Sequence, residues 1–148
     1  MEVDRNGLEV LGRDECLRLL AGATLGRIGV SSGALPVVLP VNFLLDGDRI
    51  LVRTGMGTKL DAATRNAVVA FEVDDFDSMY HSGWSVVVTG LAREISHPHE
   101  FAALRHAPLT RWAPRGDGHV MAISNEMVSG RRIPAGSSHR SEVHDEDG

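Results

Sequence analysis

The residues with the clearest chemical potential lie in one short stretch, Val52-Arg53-Thr54-Gly55-Met56-Gly57-Thr58-Lys59-Leu60. A strand that leads through a glycine loop into a helix suits an anion, because glycines let the backbone approach closely and the first helical turn has unpaired amides. The Thr58 hydroxyl can donate to a phosphate oxygen, Lys59 can neutralise the charge, and Arg53 can add a planar pair of donors. The stretch therefore predicts a phosphate-binding site.

The same residues also allow a purely structural interpretation. Thr58 followed three residues later by Asp61 resembles a helix capping box. Lys59 can equally be a solvated surface residue, and Arg53 can pair with Asp48. The stretch is not a Walker loop, which needs a wider glycine spacing and a lysine that precedes the Ser or Thr. Local chemistry alone leaves the binding and the structural interpretations open.

The other residues capable of chemistry give weaker signals. His97 and His99 flank a proline at a predicted helix start without a cluster of further ligands, so we predict no metal site. His81 precedes Trp84 in a loop, where it is either exposed or lines an active cleft. Cys16 is the only cysteine, which excludes an internal disulfide, and we interpret it as a buried apolar residue. Neither Gly-x-Ser-x-Gly nor His-Glu-x-x-His occurs, so hydrolase chemistry has no support.

The composition is that of an ordinary globular domain. The chain has 148 residues, of which 43% are hydrophobic, and a formal net charge of −5. No apolar run approaches the roughly 20 residues of a membrane-spanning helix, and the N-terminus has no secretion signal, so we expect a cytoplasmic protein without membrane contact. The acidic balance and the 5% aromatic content argue against a nucleic-acid-binding protein, which needs clustered basic residues interleaved with aromatics.

Hydrophobic periodicity predicts many short strands and two or three helices around the glycine loop. The predicted strands cover residues 25–31, 35–45, 49–54, 67–73, 84–95 and 119–128, and the predicted helices cover 13–21, 59–65 and 97–106. Pro40 is interpreted as a break in its strand that frees neighbouring backbone groups, and Gly90 as a candidate bulge. Because strands and helices do not alternate regularly, the fold class is mainly β with α, an antiparallel barrel with flanking helices.

The ends of the chain differ from its middle in composition. Residues 1–7 are polar without periodicity, and residues 134–148 begin with Pro-Ala-Gly-Ser-Ser and end with Asp-Glu-Asp-Gly. We therefore expect a flexible N-terminus over residues 1–7, one barrel domain over 8–133, and a disordered polar tail over 134–148.

The order of these pieces resembles the pyridoxamine 5'-phosphate oxidase-like split-barrel family, and in particular its short actinobacterial-type members. The matching pieces, within about residues 10–133, are Gly26-Arg27-Ile28-Gly29-Val30, residues 36–42, Arg53-Thr54, Gly57-Thr58-Lys59-Leu60, Phe71-Glu72-Val73-Asp74 and Gly83-Trp84-Ser85-Val86-Val87-Val88-Thr89-Gly90. The resemblance implies a Greek-key-like split β-barrel that binds a flavin, FMN in the first instance. It also implies a homodimer with the cofactor near the subunit interface.

The resemblance further implies three groups of cofactor-binding residues. The flavin phosphate is expected to contact Arg53, Thr54, Thr58 and Lys59. The isoalloxazine ring is expected to lie, mainly through main-chain groups, along Leu39, Pro40, Val41 and Asn42. The third group, near the cofactor and across the dimer interface, consists of Trp84 and Ser85.

The catalytic function is less defined than the cofactor. Full-length members of the family hold the substrate phosphate with a C-terminal Trp and Arg, and the nearest match, Arg131-Arg132, is interpreted as structural or interfacial. Vitamin oxidation is therefore not implied, and no catalytic side chain can be named because the flavin itself performs hydride or electron transfer. The leading hypothesis is an FMN-dependent oxidoreductase of unknown substrate. The alternative is a non-catalytic binding module for flavin, deazaflavin or haem.

Overall fold

A computed structural model describes residues 2–55, 57–95 and 118–134, which form eight strands and two helices. These elements are β1 Glu9–Leu11, α1 Arg13–Ala21, β2 Leu25–Ser32, β3 Leu35–Asp46, β4 Arg49–Gly55, α2 Lys59–Thr64, β5 Ala67–Asp77, β6 Ser82–Glu94, β7 Gly118–Ile123 and β8 Met127–Ile133. Neither described helix is long and apolar enough to span a membrane. The predicted helix 97–106, with His97 and His99, and residues 135–148 of the predicted tail lie outside the described residues.

Six of the strands close into a barrel. The sheet order is β1-β8-β6-β5-β2-β3-β4-β7, and β7 also pairs with β6. All of these pairings are antiparallel. Closure depends on β6, which pairs with β8 as far as Thr89 and with β7 from Ala92 onward. The predicted antiparallel split barrel with flanking helices is confirmed.

The barrel interior is filled by alternate residues of its strands. Phe43 of β3 and Phe71 of β5 meet edge to face with ring centroids 4.8 Å apart, an arrangement that aromatic pairs favour. Cys16 and Leu20 of α1 are completely buried against this core, which confirms the apolar interpretation of Cys16. A second, smaller cluster on the outer side of β4 and β7 is formed by Leu51, Ile95 and Val120.

Two predictions about where strands begin and end are wrong. The single strand predicted over residues 119–128 is two strands, β7 and β8, because Ser124 leaves β7 and binds Leu91 through its own main-chain N–H and its hydroxyl, both at 3.0 Å. Residues 74–83 were predicted as a loop, but most of them belong to the paired ends of β5 and β6, which form a hairpin. The acidic residues of this segment indicated a loop, but acidic side chains are tolerated where a strand lies at the surface.

Ion pairs hold the N-terminal residues and the C-terminal strand together. Residues 2–7, within the segment expected to be flexible, form a turn in which Asp4 accepts main-chain hydrogen bonds. Arg131 donates from Nε to Asp4 at 2.9 Å, and Arg132 donates to Glu15 of α1 at 2.9 Å. The pair Arg131-Arg132 therefore has the structural role that the sequence indicated, since it ties β8 to the N-terminal turn and to α1.

Candidate functional site

The ladder between β3 and β4 opens beside the predicted phosphate site. On one edge, β3 pairs with β2 over residues 35–42. On the other edge, it pairs with β4 only over residues 43–46, and the last pair is Phe43 with Val52. Asn42 and Arg53 occupy the next register position, where the two strands part. The barrel is therefore split where the predicted ring-binding segment, at Asn42, meets the predicted phosphate-binding strand end, at Arg53.

The main chain of β3 presents free polar groups along this opening. Phe43 donates its N–H to the carbonyl of Thr24 at 3.1 Å, on the β2 side. Because main-chain groups alternate in direction along a strand, those of Val38, Pro40 and Asn42 point to the opposite edge. That edge has no strand partner among the described residues. It offers three carbonyl oxygens, and N–H groups at Val38 and Asn42, since proline has none.

The predicted break at Pro40 is wrong. The register of β3 against β2 continues through the pair of Arg27 with Pro40. The free main-chain groups instead result from the early end of the β4 pairing. The side chains alternate as well: Val41 is buried in the core and Leu39 packs against it, whereas Pro40 and Asn42 are exposed. Only the last two therefore present side chains to a ligand outside the barrel.

Arg53 has an unmet requirement for a hydrogen-bond acceptor. Its side chain is half-buried, and its Nε is buried without a hydrogen-bond partner among the described residues. The partner considered from the sequence, Asp48, instead lies 4.0 Å from Arg13. A buried donor left unpaired costs about 1–3 kcal/mol, and more for a charged group. Among the predicted site residues, Arg53 is thus the one whose surroundings most strongly favour an anionic ligand.

The glycine loop, defined as residue 55 and residues 57–59, is held by internal hydrogen bonds. Gly57 has a φ of +75°, which glycine adopts without strain. Thr58 donates its hydroxyl to the Gly55 carbonyl at 2.8 Å and accepts the N–H of Asp61 at 3.1 Å. The capping interpretation of Thr58 is therefore confirmed. Lys59 is exposed, so it remains available to an anion at the surface.

A buried carboxylate that the sequence analysis considered only as a cap lies under the glycine loop. Asp61 is 6% exposed. It accepts hydrogen bonds from the Thr54 hydroxyl at 2.8 Å and from the Gly57 N–H at 3.2 Å, and it lies 2.8 Å from Nδ1 of His119. The hydroxyl of Thr54 is thus directed into the protein rather than toward an external phosphate. The available signal was the position of Asp61 one helical turn beyond the glycines.

The same network reaches the strands that close the barrel. Nε2 of His119 on β7 lies 3.3 Å from Glu94 of β6. Arg65, just after α2, forms ion pairs with both Glu94 and Asp61. The glycine loop is therefore fastened to β4, β6 and β7. No sequence pattern indicated this, because the partners are as many as 58 residues apart.

Asp61 should make the free energy of unfolding depend on pH in the acidic range. Burial acts to raise the pKa of Asp61, but hydrogen bonds from His119, Thr54 and Gly57 together lower it from 3.8 to about 2. A carboxylate with a depressed pKa stabilises the fold fully above the unfolded pKa and loses this contribution as the pH falls through the folded value. We expect about 2 kcal/mol to be lost between about pH 5 and pH 2.

The measurement is the free energy of unfolding at pH 6 and at pH 3 in wild type and in Asp61→Asn. The wild type should lose more stability on acidification than the variant. Glu15, whose pKa is also lowered to about 2 by hydrogen bonds from Arg18 and Arg132, contributes equally to both proteins and cancels in the comparison. An identical acid dependence in the two proteins would contradict the assignment.

Trp84 and Ser85 lie away from the glycine loop within one chain. Both line a cavity of about 190 Å³, between the ends of β5, β6 and β8, and Trp84 also packs against the core. β6 meets β7 only from Ala92, eight residues beyond Trp84, or roughly 26 Å along the strand. Asn42 and Arg53 lie at the opening between β3 and β4, whereas Trp84 and Ser85 lie on β6, which pairs with neither of these strands. His81 is exposed in the β5–β6 turn.

The chain is similar to known proteins over most of its length, including the opening and the strand that carries Trp84. The family model described as pyridoxamine 5'-phosphate oxidase matches residues 12–132. An uncharacterized protein from Mycobacterium tuberculosis is 42% identical over 132 residues, which are 86% of each chain. The solved structure of the FAD binding protein from Mycobacterium smegmatis is 34% identical with a TM-score of 0.76, covering 85% of this chain and 100% of that chain. A putative pyridoxamine 5'-phosphate oxidase from Corynebacterium glutamicum is 30% identical with a TM-score of 0.74, covering 85% and 98%.

Proposed function

The chain belongs to the pyridoxamine 5'-phosphate oxidase family, and from this premise we propose that it is a flavin-dependent oxidoreductase that binds FMN. The observation that supports this most strongly is the buried Nε of Arg53, which has no hydrogen-bond partner in the described part of the chain and belongs to a residue at the opening between β3 and β4. Exposed Lys59 follows on the adjoining loop, so that two positive groups can serve one anion. When bound, the flavin supplies hydride or electron transfer, and the protein orients it.

The residues at the opening fit the two chemically different parts of such a cofactor. Arg53 and Lys59 would bind the phosphate through charge-assisted hydrogen bonds. The main-chain N–H of Asn42 and the carbonyl of Pro40 would contact the polar edge of the ring system, which has both acceptors and donors. Thr58, whose hydroxyl is engaged within the loop, would support the binding site rather than contact the phosphate directly.

FAD is the second candidate for the cofactor. The Mycobacterium smegmatis relative is an FAD binding protein, and it is 34% identical to this chain. FMN is preferred here because its single terminal phosphate can be bound by Arg53 and Lys59 together. Deazaflavin or haem binding without turnover is the remaining alternative. A cytoplasmic location is part of the proposal, since reduced nicotinamide cofactors are available there as electron donors.

Identification of the bound cofactor tests this proposal. We expect the purified protein, after incubation with FMN and FAD together, to retain FMN, detected as yellow absorbance and identified by chromatography after denaturation. NADH, NADPH and a reduced deazaflavin are then offered in turn, and bleaching of the bound flavin distinguishes an oxidoreductase from a binding module. Retention of FAD would change the cofactor but not the family function. Failure to retain any flavin would contradict the proposal.

We further propose that the protein is a homodimer in which Trp84 and Ser85 of each protomer approach the flavin held by its partner. Two observations support this. Trp84 lies on β6, which pairs with neither of the strands that form the opening. The outer face of the sheet also exposes apolar side chains: Val38 is 68% exposed and Val68 is 70% exposed. Exposed apolar faces of this kind are typical of subunit contacts.

The same flavin-loaded sample tests the dimer. In analytical ultracentrifugation, absorbance at the flavin wavelength should sediment with about twice the 16.0 kDa mass of one chain. Flavin that sediments with a single chain would contradict the shared site while leaving flavin binding intact.

A further inference from the structure

Asp61 is a buried acidic residue directly beneath a site proposed for an anion. On Coulombic grounds alone, a carboxylate in this position weakens the binding of a phosphate. We propose that Asp61 is the positioning residue of the phosphate end of the flavin, because it fixes the glycine loop from inside the protein and so orients Arg53 and Lys59. This inference rests on the proposed flavin-binding function and adds to it a residue that makes no contact with the cofactor.

The two oxygens of the carboxylate connect different parts of the loop. Oδ1 accepts the Thr54 hydroxyl at 2.8 Å, at the end of β4. Oδ2 accepts the main-chain N–H of Gly57 at 3.2 Å, in the middle of the loop. Arg53 directly precedes the first tied residue, and Lys59 lies two residues beyond the second. The carboxylate therefore fixes the spacing of the two positive residues along the backbone that links them.

The charge of Asp61 is balanced by two neighbouring side chains. Arg65 lies 3.5 Å from Oδ2, and Nδ1 of His119 lies 2.8 Å from Oδ1. Glu94 also faces both Arg65 and His119. The negative charge of Asp61 is thus engaged by partly buried side chains of the protein itself, which limits its repulsion of a phosphate outside. The hydrogen bonds to the loop remain as its main effect on binding.

The test compares FMN with riboflavin, which has the same ring system but no phosphate. Asp61→Asn preserves the side-chain shape but replaces one acceptor oxygen with an amide that cannot accept hydrogen bonds. We expect this variant to bind FMN at least tenfold more weakly than wild type, with riboflavin affinity unchanged within twofold, both measured by quenching of flavin fluorescence. Asp14→Asn on α1, which is exposed, makes the same charge change and should leave both affinities unchanged.

The outcomes that would contradict the inference can be told apart from one another. Equal or tighter FMN binding by Asp61→Asn would mean that only its charge matters. Equal losses for FMN and riboflavin would mean a general structural role. If Asp61→Asn does not fold, Thr54→Val removes one donor to the carboxylate and must show a smaller loss confined to FMN, and no such loss overturns the inference. If wild type binds neither ligand, the proposed function itself fails.

Discussion

Replacing both Arg53 and Lys59 with alanine is expected to weaken FMN binding by about 3 kcal/mol or more, which is roughly 150-fold. Each side chain can make at least one charge-assisted hydrogen bond to a phosphate, and such bonds contribute about 1.5–3 kcal/mol each. Arg53 should account for the larger share, because its Nε is already buried and has no partner within residues 2–55, 57–95 and 118–134. Lys59 is exposed, so solvent screens its contribution.

The measurement is an FMN titration of the double variant followed by flavin fluorescence. A matched control removes two positive charges from α1 by Arg13→Ala with Arg18→Ala. These arginines contact Asp48 and Glu15, and their loss should change FMN affinity by less than about threefold. Riboflavin affinity should be nearly the same in all three proteins. A double variant at Arg53 and Lys59 with wild-type FMN affinity would refute the phosphate site.

The parts of this site that were predicted from the sequence depend on neighbouring residues. A glycine loop between a strand and a helix places Arg53, Thr58 and Lys59 within a few residues of one another, and local spacing is sufficient to recognise them. The structure adds the state of each group: a half-buried guanidinium, a capping hydroxyl and an exposed amine. The burial of Arg53, the exposure of Lys59 and the hydrogen bonds of Thr58 depend on how the chain folds, which sequence spacing alone does not determine.

The parts that were missed depend on pairing between distant segments. The contact of Asp61 with His119 requires β4 and β7 to be neighbours, and the opening beside Asn42 requires the β4 ladder to end while β3 continues. Proline chemistry correctly suggested free main-chain groups near Pro40, but for the wrong reason. A strand can accommodate proline on the edge that lacks a partner, and this is the edge that the opening creates.

Gly90 illustrates the same distinction. A glycine within a strand indicates either a bulge or a close approach of another backbone, and the sequence favoured a bulge. The register between β5 and β6 is continuous through the pair of Val69 with Gly90, so β5 meets no bulge there. The reason for glycine is the close approach of Ser124, at the position where β6 exchanges β8 for β7.

Gly90→Ala is therefore expected to destabilise the barrel by about 3 kcal/mol or more, at the upper end of the cost of overpacking. A Cβ at this position would clash with the carbonyl oxygen of Ser124, which is part of the backbone. Ser124 cannot easily move away, because its N–H and its hydroxyl both bind the main chain of Leu91 at 3.0 Å. The clash thus acts on the closure between β6 and β7.

Thermal unfolding provides the measurement, with an expected fall in melting temperature of roughly 6–12 °C for a domain of this size. Gly29→Ala is the matched control, since Gly29 also lies within a strand and its added Cβ would be 3.7 Å from that of Ala70, an ordinary contact. That variant should remain within about 1 kcal/mol of wild type. Because His119 and Glu94 lie on the strands that this closure joins, Gly90→Ala should also loosen the anchoring of the glycine loop. Equal melting temperatures for the two alanine variants would show that Ser124 can withdraw, and that barrel closure does not require glycine at position 90.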